Sequence, residues 1–210
     1  MVMLAAGGAD QDRTVVIVNI FYNGKPKGAV DMRKVILYIA MSVDGYIADR
    51  GGGVGWLDEY GGGEDGSYAA FIQSVDTVVM GGKTYRQVVG ELAPGVWPYD
   101  GLTSYVLTRT PCAAGEGIHF TSENPCDLIR RIRAEEGKSI WICGGAQVVR
   151  QLTQADLIDQ YHISLIPVLL GSGLRLFDRT GRQIPLKLIK AKNDGEITEL
   201  IYNRQRDRDG

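Results

Sequence analysis

Two pairs of glycines close short apolar runs in this chain. Val78-Val79-Met80 ends at Gly81-Gly82-Lys83-Thr84, and Ile140-Trp141-Ile142-Cys143 ends at Gly144-Gly145-Ala146-Gln147. The β-rich residues before each pair predict a strand, and the more polar residues after it predict a helix. Glycine leaves the backbone N–H groups at such a turn uncovered, and a helix N-terminus favours negative charge, so the pattern suits phosphate binding. Two such turns in one chain point to an extended ligand such as a dinucleotide, with one turn near each phosphate group. Taken singly, either pair reads equally well as a tight strand-to-helix turn.

The common nucleotide fingerprints are absent. Gly82-Lys83-Thr84 imitates the end of a P-loop, but Thr77 stands where that motif needs its first glycine. Gly144-Gly145-Ala146-Gln147 lacks the G-x-G-x-x-G spacing, and Gly51-Gly52-Gly53-Val54-Gly55 follows no strand that turns into a helix.

The elements that must hold these turns alternate along the chain. Strands are predicted at Val35 to Met41, Thr77 to Met80, Ser104 to Leu107, Ser139 to Ile142 and Gln160 to Ile166. Helices are predicted near Tyr68 to Gln73, after Lys83, from Asn124-Pro125 to Glu136, and from Ala146 to about Leu152. In the third of these helices Asn124 is the N-cap, Gly137 the stop, Leu128, Ile129 and Ile132 the core face, and Arg130, Arg131 and Arg133 the solvated face. Pro185 to Lys192 and Glu196 to Asn203 flank the turn Asn193-Asp194-Gly195, which predicts an antiparallel hairpin at the end of the sheet. Residues 1–31 are expected to be an appendage, disordered to residue 13 with a possible added strand from Val15 to Ile20, and 205–210 a polar tail. The domain itself then spans 32–204.

At 210 residues, 44% hydrophobic and 23% charged, the chain suffices for one well-buried core. A net charge of −2 gives no global reason to expect nucleic acid or an anionic membrane as partner. Cys112, Cys126 and Cys143 are widely spaced and form no CxxC, which suggests reduced thiols in the cytoplasm. With only His119 and His162 beside them, a zinc site is not expected. No apolar run approaches the roughly 18 residues of a membrane span, and the first thirteen residues do not have the form of an export signal.

In this order the motifs resemble the dihydrofolate-reductase-like superfamily and, within it, the riboflavin-biosynthesis reductase domain. The carrying residues are Ile39 to Ala48 (IAMSVDGYIA), Asp76 to Tyr85 (DTVVMGGKTY), Val106 to Arg109 (VLTR), Ile142 to Gly145 (ICGG), Pro167 to Gly173 (PVLLGSG) and Leu176-Phe177. The resemblance covers roughly Lys34 to Asn203. It implies an α/β fold, a three-layer α/β/α sandwich on a mixed sheet, and commonly a homodimer. It also implies an NADPH-dependent reductase of a small heterocyclic substrate, ribosylamino-pyrimidine-like or pterin-like. The alternative is a non-catalytic nucleotide- or flavin-binding module of the same fold.

Carried over by position, Ala40 resembles the residue whose backbone meets the nicotinamide carboxamide. Gly81, Gly82, Lys83 and Thr84 resemble a cofactor phosphate turn, Thr108 and Arg109 the adenosine-phosphate readers, and Gly144, Gly145, Ala146, Gln147 and Val148 the pyrophosphate turn. Three departures stand out. Gly82 replaces a usual arginine, so preference for NADPH over NADH must rest on Lys83, Arg86 or Arg109, and NADH is allowed. Cys143 occupies the place of a glutamate usual in riboflavin reductases. Where folate reductases carry a carboxylate, this chain has Ser67 or Tyr68, with Asp65 outside the helix.

For chemistry, a reductase must place its substrate over the nicotinamide and supply a proton. Asp44, where the first strand ends, is the candidate to bind a substrate hydroxyl or relay that proton, although an Asp before Gly also simply shapes a turn. Asp58 and Glu59 read as solvated loop charges, while Trp56 and Tyr68 are candidate walls for an aromatic substrate. Trp141, Tyr161, Ile163, Leu165, Ile189 and Ile201 offer apolar surface for a dimer.

Overall fold

The computed structural model describes residues 32–60, 67–110, 115–178 and 180–206, so the expected extension 1–31, Asp65, Cys112 and most of the polar tail lie outside the described residues. Along the chain run β1 (Val35–Ser42), β2 (Tyr46–Ala48), α1 (Ser67–Ser74), β3 (Val75–Gly81), α2 (Gly82–Gln87), β4 (Thr103–Leu107), β5 (Ile118–Thr121) and α3 (Pro125–Arg133). They continue with β6 (Ser139–Gly144), α4 (Ala146–Gln154), β7 (Gln160–Ile166), β8 (Leu174–Arg175), β9 (Leu186–Asp194) and β10 (Ile197–Arg204). A short 3-10 turn, Gly55–Leu57, and a π-helical stretch, Val88–Leu92, supplement the helices.

Eight strands form one sheet in the order β5-β4-β3-β6-β1-β7-β10-β9. From β5 to β7 every pairing is parallel, and β7-β10-β9 is antiparallel, as the hairpin predicted. Period-two alternation sorts the side chains into two cores. Val35, Leu37, Ile140 and Ile142 pack with Leu128, Ile129 and Ile132 of α3 and Val149 and Leu152 of α4. Ile36, Val78, Met80, Val106 and Trp141 point the other way, toward Phe71 of α1 and Tyr85 of α2. The result is the expected three-layer sandwich, whose parallel strands carry residues buried on both faces.

Local boundaries shift for identifiable reasons. Asn124 caps α3 as predicted, its side chain accepting from Cys126 N at 2.9 Å. The helix stops at Arg133 rather than Glu136, because Arg33 takes its last carbonyls: Arg33 N donates to Arg133 O at 3.2 Å and Nη1 to Ile132 O at 3.3 Å. Arg130 and Arg131 are solvated as expected, but Arg133 is half-buried and pairs with Asp159 at 3.1 Å. The hairpin turn falls at Gly195-Glu196, with Gly195 at φ +58° and Asn193 and Asp194 inside β9. Strands β2, β5 and β8, of two to four residues, were too short to carry a readable pattern.

The amino edge of the sheet is closed by charge. Arg33 pairs with Asp76 and donates to Thr77 Oγ1 at 2.6 Å; Arg204 pairs with Asp156 at 2.6 Å, and Arg206 with Asp159 at 2.7 Å. A Cβ on Gly137 would lie 2.6 Å from Asp76 Oδ2, so this glycine is required by packing as well as by its φ of +152°. Trp141, Tyr161 and Ile163, read from sequence as surface for a dimer, are buried within the chain's own cores. Ile189 on β9 remains half exposed, beside Leu186 and Leu188.

Candidate cofactor and substrate site

Because β3 and β6 are adjacent and parallel, with Met80 opposite Gly144, both glycine turns come to the carboxyl edge of the sheet. They pack on one another. A Cβ on Gly81 would lie 3.7 Å from Gly145 N and 3.6 Å from Val148 Cγ2, and one on Gly145 would lie 3.2 Å from Thr84 Oγ1. Gly144 adopts φ +128°, a conformation that strains any other residue, and its peptide bond to Gly145 is cis. Ligands of open α/β sheets bind outside the carboxyl ends of the strands, which is where this bare backbone lies.

Thr108 joins the same edge, since β4 runs beside β3. A Cβ on Gly82 would lie 3.0 Å from Thr108 Cβ, 3.1 Å from its Oγ1 and 3.5 Å from Nη1 of Arg86. Arg86, one helical turn further on, thus sets its guanidinium over the bare glycine. Lys83, Arg86 and Arg109 are all exposed, so three cations stand around the Gly82–Thr108 contact.

Gly145 caps α4 without a side-chain acceptor, so the first amides of that helix depend on an outside partner. Over this end opens a cavity of about 370 Å³ lined by Ala146, Gln147, Arg150, Arg175, Tyr46 and Asp178 among others. Arg150 and Arg175 were not among the residues picked from sequence. Arg150 could have been found, because it lies four residues after Ala146 on the same helical face. Arg175 could not: it arrives from β8, held by the Asp44 carbonyl at 3.3 Å and by the Tyr46 ring, 4.6 Å from its centroid. The β2–β8 ribbon is equally unreadable, since Gly173 lets Ala48 O approach where any Cβ would collide.

Asp44, half-buried just after β1, is tied into its turn by three hydrogen bonds. Its carboxylate accepts from Ser42 Oγ at 2.7 Å, Leu170 N at 3.1 Å and Gly171 N at 2.7 Å. Desolvation opposes its charge, but the bonds from Ser42, Gly171 and Leu170 outweigh it and hold the carboxyl below its ordinary value. These bonds clamp the β1–β2 turn to the loop after β7. Ala40 is half-buried on β1, opposite Ser164 of β7.

The two aromatic candidates sit on different elements. Trp56 lies in the loop that Gln87 holds through Gly52 O at 3.1 Å, and its buried indole Nε1 has no partner among the described residues. Asp58 and Glu59 beside it are exposed, as expected of loop charges. Tyr68 projects from α1, its ring centroid 6.1 Å from Tyr38 and 6.2 Å from Trp141. Burial raises the Tyr68 pKa, with Cys143 adding to the rise, and burial pushes the Cys143 thiol up to about 11, only partly offset by Tyr99 Oη at 3.6 Å. Cys143 is therefore a neutral thiol at pH 7, not a stand-in for a carboxylate.

The chain is similar to known proteins. Residues 33–200 match the RibD C-terminal domain family. The uncharacterized protein YwjB of Bacillus subtilis (strain 168) is 40% identical over 173 residues, covering 82% of this chain and 98% of YwjB. A putative riboflavin biosynthesis protein from Shewanella sp. PV-4 superposes with TM-score 0.72 at 29% identity, over 82% of this chain and 99% of the other. The fold extends to dihydrofolate reductase from Enterococcus faecalis, solved with NADP(H), at TM-score 0.57 and 16% identity, over 82% and 97% of the two chains. With the family match covering both glycine turns, Thr108 and the strands that bring them to one edge, the chain belongs to the RibD C-terminal domain family.

Proposed function

We propose that this protein is a reductase that takes hydride from a nicotinamide dinucleotide, NADPH by preference, and delivers it to a small heterocycle of ribosylamino-pyrimidine or pterin type. The observation that carries the reading is the close packing of the two glycine turns, where a Cβ on Gly81 would lie 3.7 Å from Gly145 N, which leaves a double stretch of bare backbone at one sheet edge. Cations flank both halves of it: Lys83, Arg86 and Arg109 near Thr108, and Arg150 and Arg175 at the start of α4. This suits a ligand with a pyrophosphate in the middle and a further phosphate at one end. When bound, the nicotinamide supplies the hydride; the chain's part is to bind, orient and exclude water. The proton comes from solvent or from the substrate's own pocket, since Asp44 is committed to its turn.

Titration with NADPH and NADH, followed by quenching of tryptophan emission, tests the reading. Saturable binding of NADPH is expected, and no saturable binding of either cofactor would sink it. The engagement of Asp44 favours a second reading, a nucleotide-binding module without turnover. Cofactor oxidation with any member of a pterin, pyrimidine and quinone panel removes it. The same proposal takes the working form to be a cytoplasmic homodimer, assembled through the exposed apolar residues of β9.

A further inference from the structure

Arginines at the two edges of the sheet are engaged differently. Arg33, Arg133 and Arg204 at the amino edge each meet a carboxylate, whereas Arg175 at the other edge has no carboxylate partner among the described residues. Yet Arg175 is held in place. Its Nη1 donates to the Asp44 carbonyl at 3.3 Å, its Cζ lies 4.6 Å from the centroid of the Tyr46 ring, and Leu176 N beside it donates to Gly45 O at 3.0 Å. The loop that delivers it is fastened to the same turn earlier on. Val43 N donates to Val168 O at 3.0 Å, and the Asp44 carboxylate accepts from Leu170 N and Gly171 N. Ser42 Oγ, which donates to that carboxylate, accepts from Tyr46 N at 2.9 Å. Both ends of the excursion 168–176 are therefore pinned to residues 42–46. Asp44 takes part at each end, with its side chain at the first and its carbonyl at the second.

We infer that Asp44 is a positioning residue for the cofactor: its carboxylate fixes the loop that sets Arg175 beside the first turn of α4, where the guanidinium takes the phosphate on the nicotinamide side of the bridge. The inference rests on the reductase reading, which lays a dinucleotide along this edge. Sheet order assigns the phosphate. In the run β4-β3-β6-β1, Thr108 stands at the β4 end, the two glycine turns follow on β3 and β6, and Tyr46 with its ladder partner Arg175 lies past β1, the strand that carries Ala40. Arg175 shares the cavity at α4 with Ala146, Gln147 and Arg150, and the one carboxylate of that lining, Asp178, is exposed. A guanidinium presents a planar fork to an oxyanion, and one already held by a carbonyl and a ring loses less freedom on binding than an arginine loose in solvent. Asp44→Asn undoes the arrangement at its root, because it sets an NH2 donor where the carboxylate accepts from Leu170 N or Gly171 N.

NADPH, NADH and adenosine 2′,5′-bisphosphate, which lacks the nicotinamide half of the cofactor and one phosphate of the bridge, provide the test. Each is titrated by calorimetry into the full-length wild type, Asp44→Asn, Arg175→Ala and the double variant. Arg175→Ala is expected to weaken NADPH and NADH by the same factor, about tenfold or more, the scale of a charged hydrogen bond, and to leave the bisphosphate within about twofold. Asp44→Asn is expected to weaken both dinucleotides by about fivefold, again sparing the bisphosphate. In the double variant the losses do not multiply: its affinities match those of Arg175→Ala within about twofold, because Asp44 acts through the arginine. Ser42→Ala, which removes the hydroxyl that orients the carboxylate, should behave as Asp44→Asn, alone and combined with Arg175→Ala. It serves if Asp44→Asn does not fold. Dinucleotide affinity unchanged in either single variant, a parallel loss of the bisphosphate, or losses that multiply overturns the inference. Failure of NADPH and NADH to bind the wild type overturns the reductase reading instead.

Discussion

At Gly82 a missing side chain makes room for a present one. Thr108 crowds the space that a Cβ at this position would need, and the Arg86 guanidinium lies in ordinary contact with it. If the terminal phosphate of NADPH is read here, Arg86→Ala and Arg109→Ala should each weaken NADPH by about 1.5 to 3 kcal/mol, the range for a charged hydrogen bond, and leave NADH nearly unchanged. Arg150→Ala, placed at the start of α4, should weaken both cofactors alike. Isothermal titration of the three variants separates the roles, and equal losses for the two cofactors in Arg86→Ala and Arg109→Ala would refute them as phosphate readers. The placement of Gly81 and Gly145 at the ends of β3 and β6 was legible because glycine pairs at strand ends have a local signature. Arg175 and the commitment of Asp44 were not, because each depends on a loop more than a hundred residues away in sequence.

Among the elements, the starts of α3, β6 and α4 were legible to the residue, since caps, glycine pairs and apolar periodicity are all local, while their ends lie two or three residues from where they were expected. The early end of α3 was not, because Arg33 ends it from across the sheet. A similar long-range effect acts on β7. Burial lowers the His162 pKa to about 4, against a smaller opposing pull from Glu199. The folded value lies below the ordinary 6.5, so between these values the unfolded chain binds more protons. The His162 contribution is therefore complete above pH 6.5 and declines as the pH falls toward 4. Allowing for the ring's partial exposure, wild-type protein should lose roughly 1 to 2 kcal/mol more than His162→Asn between pH 7 and pH 5. Urea denaturation of both proteins at the two pH values measures this, and parallel losses would show that the imidazole titrates normally.

For the whole molecule, β9 carries the main apolar exposure on the sheet among the described residues. Leu188 and Ile189 are 51% and 50% exposed and Leu186 39%, at the antiparallel end of the sheet. A dimer through this hairpin should give twice the chain mass by light scattering at micromolar concentration, and Leu188→Lys should return it to one. A monomer across that range in the wild-type protein excludes it. The two edges of the parallel sheet meanwhile differ in what they are made of. One is sewn shut by Arg33, Asp76, Asp156, Asp159 and Arg204; the other is left as naked peptide at Gly81, Gly82, Gly144 and Gly145. Durability and recognition are thus housed at opposite poles. A lineage of this design can exchange the residues around its glycine turns, and with them its choice of ligand, while the bolts that hold the domain closed stay untouched.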